Sequence, residues 1–178
     1  MDSSLDYCRK SLERSDYHHY LISLFMPAGK RPALWTLGAF KQVIETIPQS
    51  VTEPALGYMR LTWWRDQIAL LEQDKLTRGQ PILSSLSVIA REQRDRGNPD
   101  IFQQLKTFIN DHEILIENPE TDFISAIYPK LLEQILGPDF IKYRSLEHKL
   151  TTILKRYHGD KKWEKNPPFL ALRLWLAS

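Results

Sequence analysis

The sequence predicts an all-α fold that forms a single domain over residues 1–178. Apolar residues recur every three to four positions along most of the chain, which is the period of an α-helix. Turn signals made of Pro, Gly and Asn separate these stretches, and alternating strand patterns are scarce. With 42% hydrophobic and 11% aromatic residues, a chain of this length can bury one core.

The first clear helix is predicted just after residues 15 and 16. Ser15 or Asp16 can cap the stretch "YHHYLISLF", and Pro27 and Gly29 end it. A second helix is predicted after this turn and extends to Pro48, because apolar residues again recur at helical spacing. Those apolar residues are Ala33, Leu37, Phe40 and Ile44.

A long helix is predicted next, with Thr52 or Glu53 as its cap and Pro54 in its first turn, where a missing N–H costs nothing. It is apolar on two sides: Leu56, Met59 and Trp63 form one, and Leu61, Trp64, Ile68 and Leu71 form the other. A helix with two apolar sides is usually packed between other helices. We therefore expect Trp63 to be largely buried.

The remainder of the chain is also predicted to be helical. Further helices are expected at 82–96, 100–116, 121–136, 140–157 and 168–177. The turn signals between them are "RGQP", "RGNP", "ENPE", "LGPD" and "NPP".

Composition and charge exclude several classes of function. The net charge is +2, from 24 basic and 22 acidic residues, which gives no basis for nucleic-acid binding. Cys8 is the only cysteine, so a disulfide framework is excluded, and we expect it to be a buried apolar side chain. The sequence has no apolar run long enough to span a membrane, and its beginning resembles neither a signal nor a transit peptide. The expected location is the cytoplasm or the periphery of a bacterial-type inner membrane.

Several segments together resemble the squalene/phytoene synthase family. They are "DYC" (6–8), "SDYHHYLISLFMP" (15–27), "RPALWTLGAF" (31–40), "VTEPALGYMRLTWWRDQI" (51–68) and "NPPFLALRLWLA" (166–177). The resemblance implies the isoprenoid synthase fold, an all-α helical bundle, here shortened in its back half. Catalytic members of the family join two prenyl diphosphates head to head, using Mg²⁺ ions held by two aspartate-rich motifs.

The first aspartate-rich motif, Asp-Asp-x-x-Asp, falls on Glu45, Thr46 and Gln49 in this sequence. Mg²⁺ keeps near-octahedral oxygen coordination, and each site in these enzymes uses paired acids one helical turn apart. Only Glu45 can carry a negative charge, and Lys41 four positions earlier is expected to pair with it. The region expected to hold the second motif, 136–165, has scattered acids among lysines. We therefore expect no catalytic residues and no metal or other cofactor; Mg²⁺ would be needed only if the protein is an active transferase.

Within the family, the sequence most resembles the non-catalytic branch related to the mitochondrial complex I assembly factor. This branch shares the pattern V-S/T-E-P…G-x-x-R-L/M-x-W-W/F, present here at 51–64. The resemblance implies a binding or assembly role near the inner membrane, with a protein or a prenyl lipid as partner. Two alternatives stay open: an active Mg²⁺-dependent head-to-head prenyltransferase, and a prenyl-lipid carrier.

The resemblance also implies a remnant of the substrate pocket. Its predicted ligand-binding residues are Arg31, Glu45, Gln49, Arg60 and Trp64. Helices 31–47 and 52–73 are expected to line a mostly apolar cavity, with Glu45, Thr46 and Gln49 facing Arg31 and Arg60 across its polar rim. We further expect the segment containing Phe169 to Trp175 to fill this cavity. Finally, His18 and His19 point about 100° apart on a helix, so they are expected to form a surface or partly buried polar pair rather than a metal site.

Overall fold

The computed structural model describes residues 3–75, 79–98, 100–118 and 125–156, and within them the chain is all-α. The helices are α1 (Ser3–Ser15), α2 (Tyr17–Leu24), α3 (Arg31–Ser50), α4 (Pro54–Glu72), α5 (Pro81–Asp95), α6 (Ile101–Asp111), α7 (Ile114–Glu117), α8 (Ile127–Leu136) and α9 (Asp139–Arg156). A short 3₁₀ turn, Ala28–Lys30, precedes α3. The predicted all-α fold class is confirmed.

Helix α3 lies at the centre of the core. It contacts α1, α2, α4, α5, α7 and α8, and its residues Leu37, Phe40 and Ile44 are fully buried. Helix α1 approaches α3 closely at Gly38, where an added Cβ would lie 2.6 Å from a methyl carbon of Leu12. Because α3 is surrounded in this way, its successive residues face different neighbouring helices.

The ends of the early helices follow from specific side chains. Asp16 caps α2 by accepting a 3.1 Å hydrogen bond from the backbone N–H of His19. At the other end of α2, Arg31 donates hydrogen bonds to the carbonyl oxygens of Leu24, at 2.9 Å, and Met26, at 3.0 Å. The Leu24 carbonyl lies in the last turn of α2 and the Met26 carbonyl lies just beyond it, where oxygen atoms otherwise lack partners.

Some helix boundaries differ from those predicted. Helix α3 continues through Pro48 to Ser50, because a proline this close to the end removes only the hydrogen bond to the Ile44 carbonyl. The helix expected at 100–116 is interrupted at residues 112–113 and forms α6 and α7. Helix α1 was not predicted as a helix. The segment expected at 168–177 lies outside the described residues.

The expectation for Trp63 is wrong. Only one of the two apolar sides of α4 is buried: Trp64 is 4% exposed and Leu61 and Ile68 are fully buried, whereas Trp63 is 44% and Met59 67% exposed. The periodic pattern identified both sides correctly as apolar. It did not indicate that, within the described residues, neighbouring helices cover only one of them.

Candidate functional site

An open apolar groove lies between α3 and α4. Its apolar walls are formed by Val43 and Ile47 on α3 and by Leu56, Met59 and Trp63 on α4, with Trp64 at its base. We call this surface the α3–α4 groove. Its volume is about 670 Å³. The prediction that these two helices line a mostly apolar cavity is therefore confirmed.

Aromatic packing fixes the base of the groove. The ring of Trp64 packs edge to face against Trp63, with ring centres 5.2 Å apart, and against Phe40, at 5.8 Å. Aromatic pairs of this geometry are favourable beyond the area that they bury. Trp63 is thus held in place on one side while its other side remains exposed.

Among the described residues, the rim of the groove is polar and carries one cation. Gln42, Thr46 and Ser50 contribute polar groups from α3, and Arg60 contributes its guanidinium from α4. Arg60 donates a 3.3 Å hydrogen bond to the Ser50 hydroxyl, which links the two helices near the turn that joins them. Because Arg60 is exposed, its charge is available to a molecule bound in the groove.

A smaller cavity lies on another side of α3, among α2, α3, α8 and α9. We call it the polar cavity; its volume is about 180 Å³, and charged groups line it. These groups are His19, Lys41, Glu45, Arg144 and Glu147. Tyr128 adds an aromatic wall, and the Lys41 ammonium lies 5.5 Å from its ring centre.

His19 links two distant parts of the chain at this cavity. Its Nδ1 contacts the Asp16 carboxylate and its Nε2 lies 3.4 Å from Glu147, on α9. Burial alone would lower the pKa of His19, but the hydrogen bonds to Asp16 and Glu147 outweigh it and raise the pKa to about 9. Burial alone would raise the pKa of Asp16, but its bonds to His19 lower that pKa to about 2.

The three positions of the first metal motif do not face one site. Glu45 lines the polar cavity, where it accepts a 2.7 Å hydrogen bond from Lys41, so that predicted pair is confirmed. Thr46 lines the rim of the α3–α4 groove and donates a 2.6 Å hydrogen bond to the Gln42 carbonyl. Gln49 is exposed. These side chains do not fit the Mg²⁺ ions of the family, because one already paired carboxylate cannot replace three around a strongly hydrated cation.

Arg31 and Arg60 do not form one rim, contrary to the sequence-based expectation. Arg31 begins α3, whereas Arg60 is hydrogen-bonded to Ser50, the last residue of that helix. Nineteen residues of α-helix separate those ends by about 28 Å. Arg31 instead supports the end of α2, as described above. Of the five predicted ligand residues, the structure brings Arg60 and Trp64 to the groove and Glu45 to the polar cavity.

Two further properties concern the described part of the chain. Among residues 3–75, 79–98, 100–118 and 125–156, no three His, Cys, Asp or Glu side chains are grouped so that they could hold a metal ion. None of the helices in these ranges is both long and apolar enough to cross a membrane.

The sequence analysis missed the role of His19. Asp16 and His19 stand three positions apart, and this spacing indicates a contact on one helical turn. Glu147 is 128 residues further along the chain, and no local pattern connects it to His19. Contacts of this kind depend on how α9 packs on α2.

The helices and their central α3 define an all-α bundle of the isoprenoid synthase type. The squalene/phytoene synthase family model matches residues 12–135, and the chain belongs to this family. This match covers α2 to α7 and nearly all of α8, together with the end of α1.

Among characterised relatives, the chain is similar to proteins named NADH dehydrogenase (ubiquinone) complex I, assembly factor 6. It is 36% identical to the human protein over 62 residues, which are 35% of this chain and 19% of that protein. It is 37% identical to the bovine protein over 62 residues, again 35% of this chain and 19% of the relative. The Drosophila melanogaster homolog is 32% identical over 85 residues, 45% of this chain and 25% of the relative. No solved structure matches the chain.

Proposed function

We propose that the protein is a non-catalytic member of its family that binds a partner protein during assembly of respiratory complex I, close to the inner membrane. The α3–α4 groove is the observation that carries this proposal. It presents Met59 and Trp63, which are 67% and 44% exposed, beside the exposed cation Arg60. The similarity to complex I assembly factors supports the choice of partner.

The shape and chemistry of the groove suit a protein partner. Leu56, Met59 and Trp63 stand at positions i, i+3 and i+7 of α4, so they form one continuous apolar row. Exposed apolar patches with a polar rim are typical of interaction surfaces, and Trp and Met are enriched in them. An amphipathic helix could lay its apolar face between α3 and α4 and complete a three-helix contact.

The residues at the metal-motif positions support a role without chemistry. Departure of a diphosphate group in the enzymes depends on Mg²⁺ held by several carboxylates. Here Glu45 is paired with Lys41, and Thr46 and Gln49 carry no charge. A binding role needs none of these carboxylates and is compatible with their replacement.

Complementation in the native host tests this proposal. The gene is deleted, and assembled complex I is measured by native gel electrophoresis and NADH oxidation. Wild-type protein should restore assembly, and Trp63→Glu and Met59→Glu should fail, because a carboxylate in the groove opposes an apolar partner. Val88→Glu serves as the control, since Val88 is 61% exposed but lies on α5, outside the groove.

Three outcomes would contradict the proposal. The deletion strain could assemble complex I normally, or the groove variants could restore assembly as well as the Val88→Glu control does. In addition, purified protein could convert farnesyl or geranylgeranyl diphosphate in a Mg²⁺-dependent reaction. That third outcome would favour the active prenyltransferase.

A prenyl-lipid carrier is the second candidate, and the volume of the groove favours it. At about 670 Å³, the groove lies within the range of small-molecule pockets, and Arg60 could contact an anionic head group. Organic extraction of protein purified from its native host, followed by mass spectrometry, tests this candidate. A prenyl lipid at stoichiometric amounts that is lost in Trp63→Glu would support it, whereas lipid-free protein would exclude it.

A further inference from the structure

The outer side of α9 carries positive charge and no negative charge. Within residues 139–155 of this helix, every exposed Lys, Arg, Asp or Glu side chain is a cation. Both acids of the helix, Asp139 and Glu147, are half-buried, and Glu147 contacts His19 on α2. The helix therefore presents its positive groups to solvent and keeps its negative groups partly covered. The exposed cations are Lys142, Arg144, which also contacts Glu147, and Lys155.

Other helices of the bundle differ from α9 in this respect. Helices α5 and α8 each expose charges of both signs, so their surfaces favour neither a positive nor a negative partner. The exposed charged residues are Arg91, Glu92, Arg94 and Asp95 on α5, and Lys130 and Glu133 on α8. The outer side of α9, in contrast, favours a negative partner.

An exposed isoleucine stands at the beginning of the same side of α9. Ile141 is 78% exposed, which is more than Met59 or Trp63 in the α3–α4 groove. Together with Lys142 and Ser145, it lines an open depression of about 460 Å³ where α9 begins. An apolar side chain next to a lysine suits the boundary of a membrane, because the apolar group enters the headgroup layer while the flexible lysine keeps its charge in water.

The exposed side chains of α9 form a straight row, which we call the α9 stripe. Positions 141, 145, 148, 152 and 155 alternate in spacing between four and three, so they lie on one side of the helix over about 21 Å. All five side chains are exposed. The opposite side packs in the core, on α2 and α8, through Tyr143, Leu146 and Leu150. The α9 stripe can therefore lie along a flat surface, with Lys142 and Arg144 on either side of it.

A negatively charged lipid surface suits the α9 stripe better than a protein does. Lysine and serine are depleted in protein–protein interfaces, where aromatic side chains serve as anchors. The side chains between the cations are short hydroxyls, at Ser145, Thr151 and Thr152. Lipid headgroups require no shaped pocket, and each Lys or Arg near an anionic membrane strengthens binding about fivefold.

We propose that the α9 stripe binds the surface of an anionic phospholipid membrane. Ile141 enters the headgroup layer, and Lys142 and Lys155 contact lipid phosphates. The attachment is peripheral, because the apolar side of α9 stays in the core of the protein. This contact goes beyond the proposed function and does not rest on it, since the α3–α4 groove is formed by other helices.

Vesicle binding tests the lipid contact with the purified full-length protein. Vesicles of phosphatidylcholine and phosphatidylglycerol are compared with vesicles of phosphatidylcholine alone, and bound protein is measured by flotation. The protein should float with the anionic vesicles at low salt and dissociate at about 0.5 M salt, where charges are screened within a few ångströms. No binding to the anionic vesicles, or equal binding to both kinds, would overturn the proposal.

Charge variants show whether α9 is the surface that binds. Lys142→Gln/Lys155→Gln should weaken the partitioning onto anionic vesicles about 25-fold, because it removes two contacts that each contribute about fivefold. Lys10→Gln/Lys75→Gln is the matched control: it removes the same charge from exposed lysines on α1 and at the end of α4, and should change partitioning little. Equal losses in the two variants would mean that only net charge matters, and would overturn the proposal.

A fluorescent label at position 141 tests the orientation. Cys8 is buried, so a dye that reports polarity can be attached to Ile141→Cys, or to Val88→Cys on α5 as the control. On binding to anionic vesicles, the emission of the label at 141 should shift to the blue and that of the label at 88 should not. The reverse result, or no shift at 141 while the protein is bound, would place the contact on another surface.

The lipid contact and the proposed function fail in different experiments. Trp63→Glu should bind vesicles like wild type, and loss of binding in this variant would move the contact to the groove and overturn the proposal. If the vesicles leave the label at 141 unchanged, while Lys142→Gln/Lys155→Gln loses a partner protein that the control variant retains after affinity purification, the α9 stripe binds an acidic protein and the proposal is wrong. Neither result decides whether groove variants restore complex I assembly.

Discussion

The α3–α4 groove and the polar cavity lie on different sides of the same helix, yet their chemistry is opposite. The groove is wide, about 670 Å³, and apolar apart from its rim. The polar cavity is about 180 Å³ and is lined by paired charges from three helices. Adjacent residues divide between them, since Glu45 faces the cavity and Thr46 faces the groove.

This difference indicates separate roles for the two regions. Charges in the polar cavity already have partners, such as His19 with Glu147 and Lys41 with Glu45, and these contacts connect helices or stiffen them. In the groove, by contrast, Leu56, Met59 and Trp63 are exposed among the described helices. We therefore interpret the cavity as part of what holds the fold and propose the groove as the binding surface.

The largest difference in the free energy of unfolding is expected between variants of the two adjacent tryptophans at the groove. Trp64→Ala should lower the free energy of unfolding by about 3–5 kcal/mol, because a buried aromatic side chain leaves a cavity. Trp63→Ala should cost no more than about 1 kcal/mol, since that side chain is 44% exposed. Urea unfolding of both variants checks this. Equal losses would mean that Trp63 is as buried as Trp64.

A smaller loss of folding stability is expected from a substitution at the polar cavity. His19→Ala should lower the free energy of unfolding by about 1–2 kcal/mol, because it removes contacts to Asp16 and Glu147 that are only partly shielded from solvent. His18→Ala is the matched control on the preceding residue, which is exposed, and should change the free energy of unfolding little. If the two variants unfold at the same urea concentration, the link between α2 and α9 does not contribute to stability.

The contribution of His19 should depend on pH in a defined direction. Its folded pKa of about 9 lies above the ordinary value of 6.5, so protonation favours the folded state. The stability difference between wild type and His19→Ala should be largest below pH 6.5 and should decrease as the pH rises through 9. Toward acid, it should decrease again as the pH falls through the ordinary Asp16 value of 3.8 toward 2. Unfolding curves at a series of pH values measure this; a difference that grows from pH 7 to 10 would contradict it.

The smallest effect on folding stability is expected from a substitution of Glu45. Glu45→Gln should cost only a few tenths of a kcal/mol, because its pair with Lys41 is a partly exposed i, i+4 contact. The same substitution should leave the weak binding of Mg²⁺ unchanged in a calorimetric titration. Saturable, stoichiometric Mg²⁺ binding to wild type that disappears in Glu45→Gln would show that this position still holds a metal.

Local patterns in the sequence predicted most of the fold. The caps at Asp16 and Glu53, the periodic apolar residues and the turns set α2 to α5 with small errors at their ends. Helix α1 also carried a signal, since Leu5, Cys8 and Leu12 stand at helical spacing, and Cys8 and Leu12 are buried. That signal was missed because the rest of the segment is polar.

Features that depend on the packing of neighbouring helices could not be predicted from local sequence patterns. The pattern of α4 contains two apolar sides, and only the packing of α3, α5, α6 and α7 decides which is covered. The rim expected from Arg31 and Arg60 does not form, because Arg31 begins α3 and Arg60 lies at the other end of that helix, bonded to Ser50 about 28 Å away. His19 and Glu147 meet through packing alone. A mostly apolar cavity between α3 and α4 was expected, because the resemblance to the squalene/phytoene synthase family implies it.

We propose that the protein acts through the α3–α4 groove and not through the remnant of a metal site. A single complementation experiment compares the groove with the former metal-motif position. Trp63→Glu and Glu45→Gln are expressed separately at equal levels in the deletion strain, and assembled complex I is quantified. We expect Glu45→Gln to restore assembly like wild type and Trp63→Glu not to restore it. Restoration by Trp63→Glu together with failure of Glu45→Gln would contradict it.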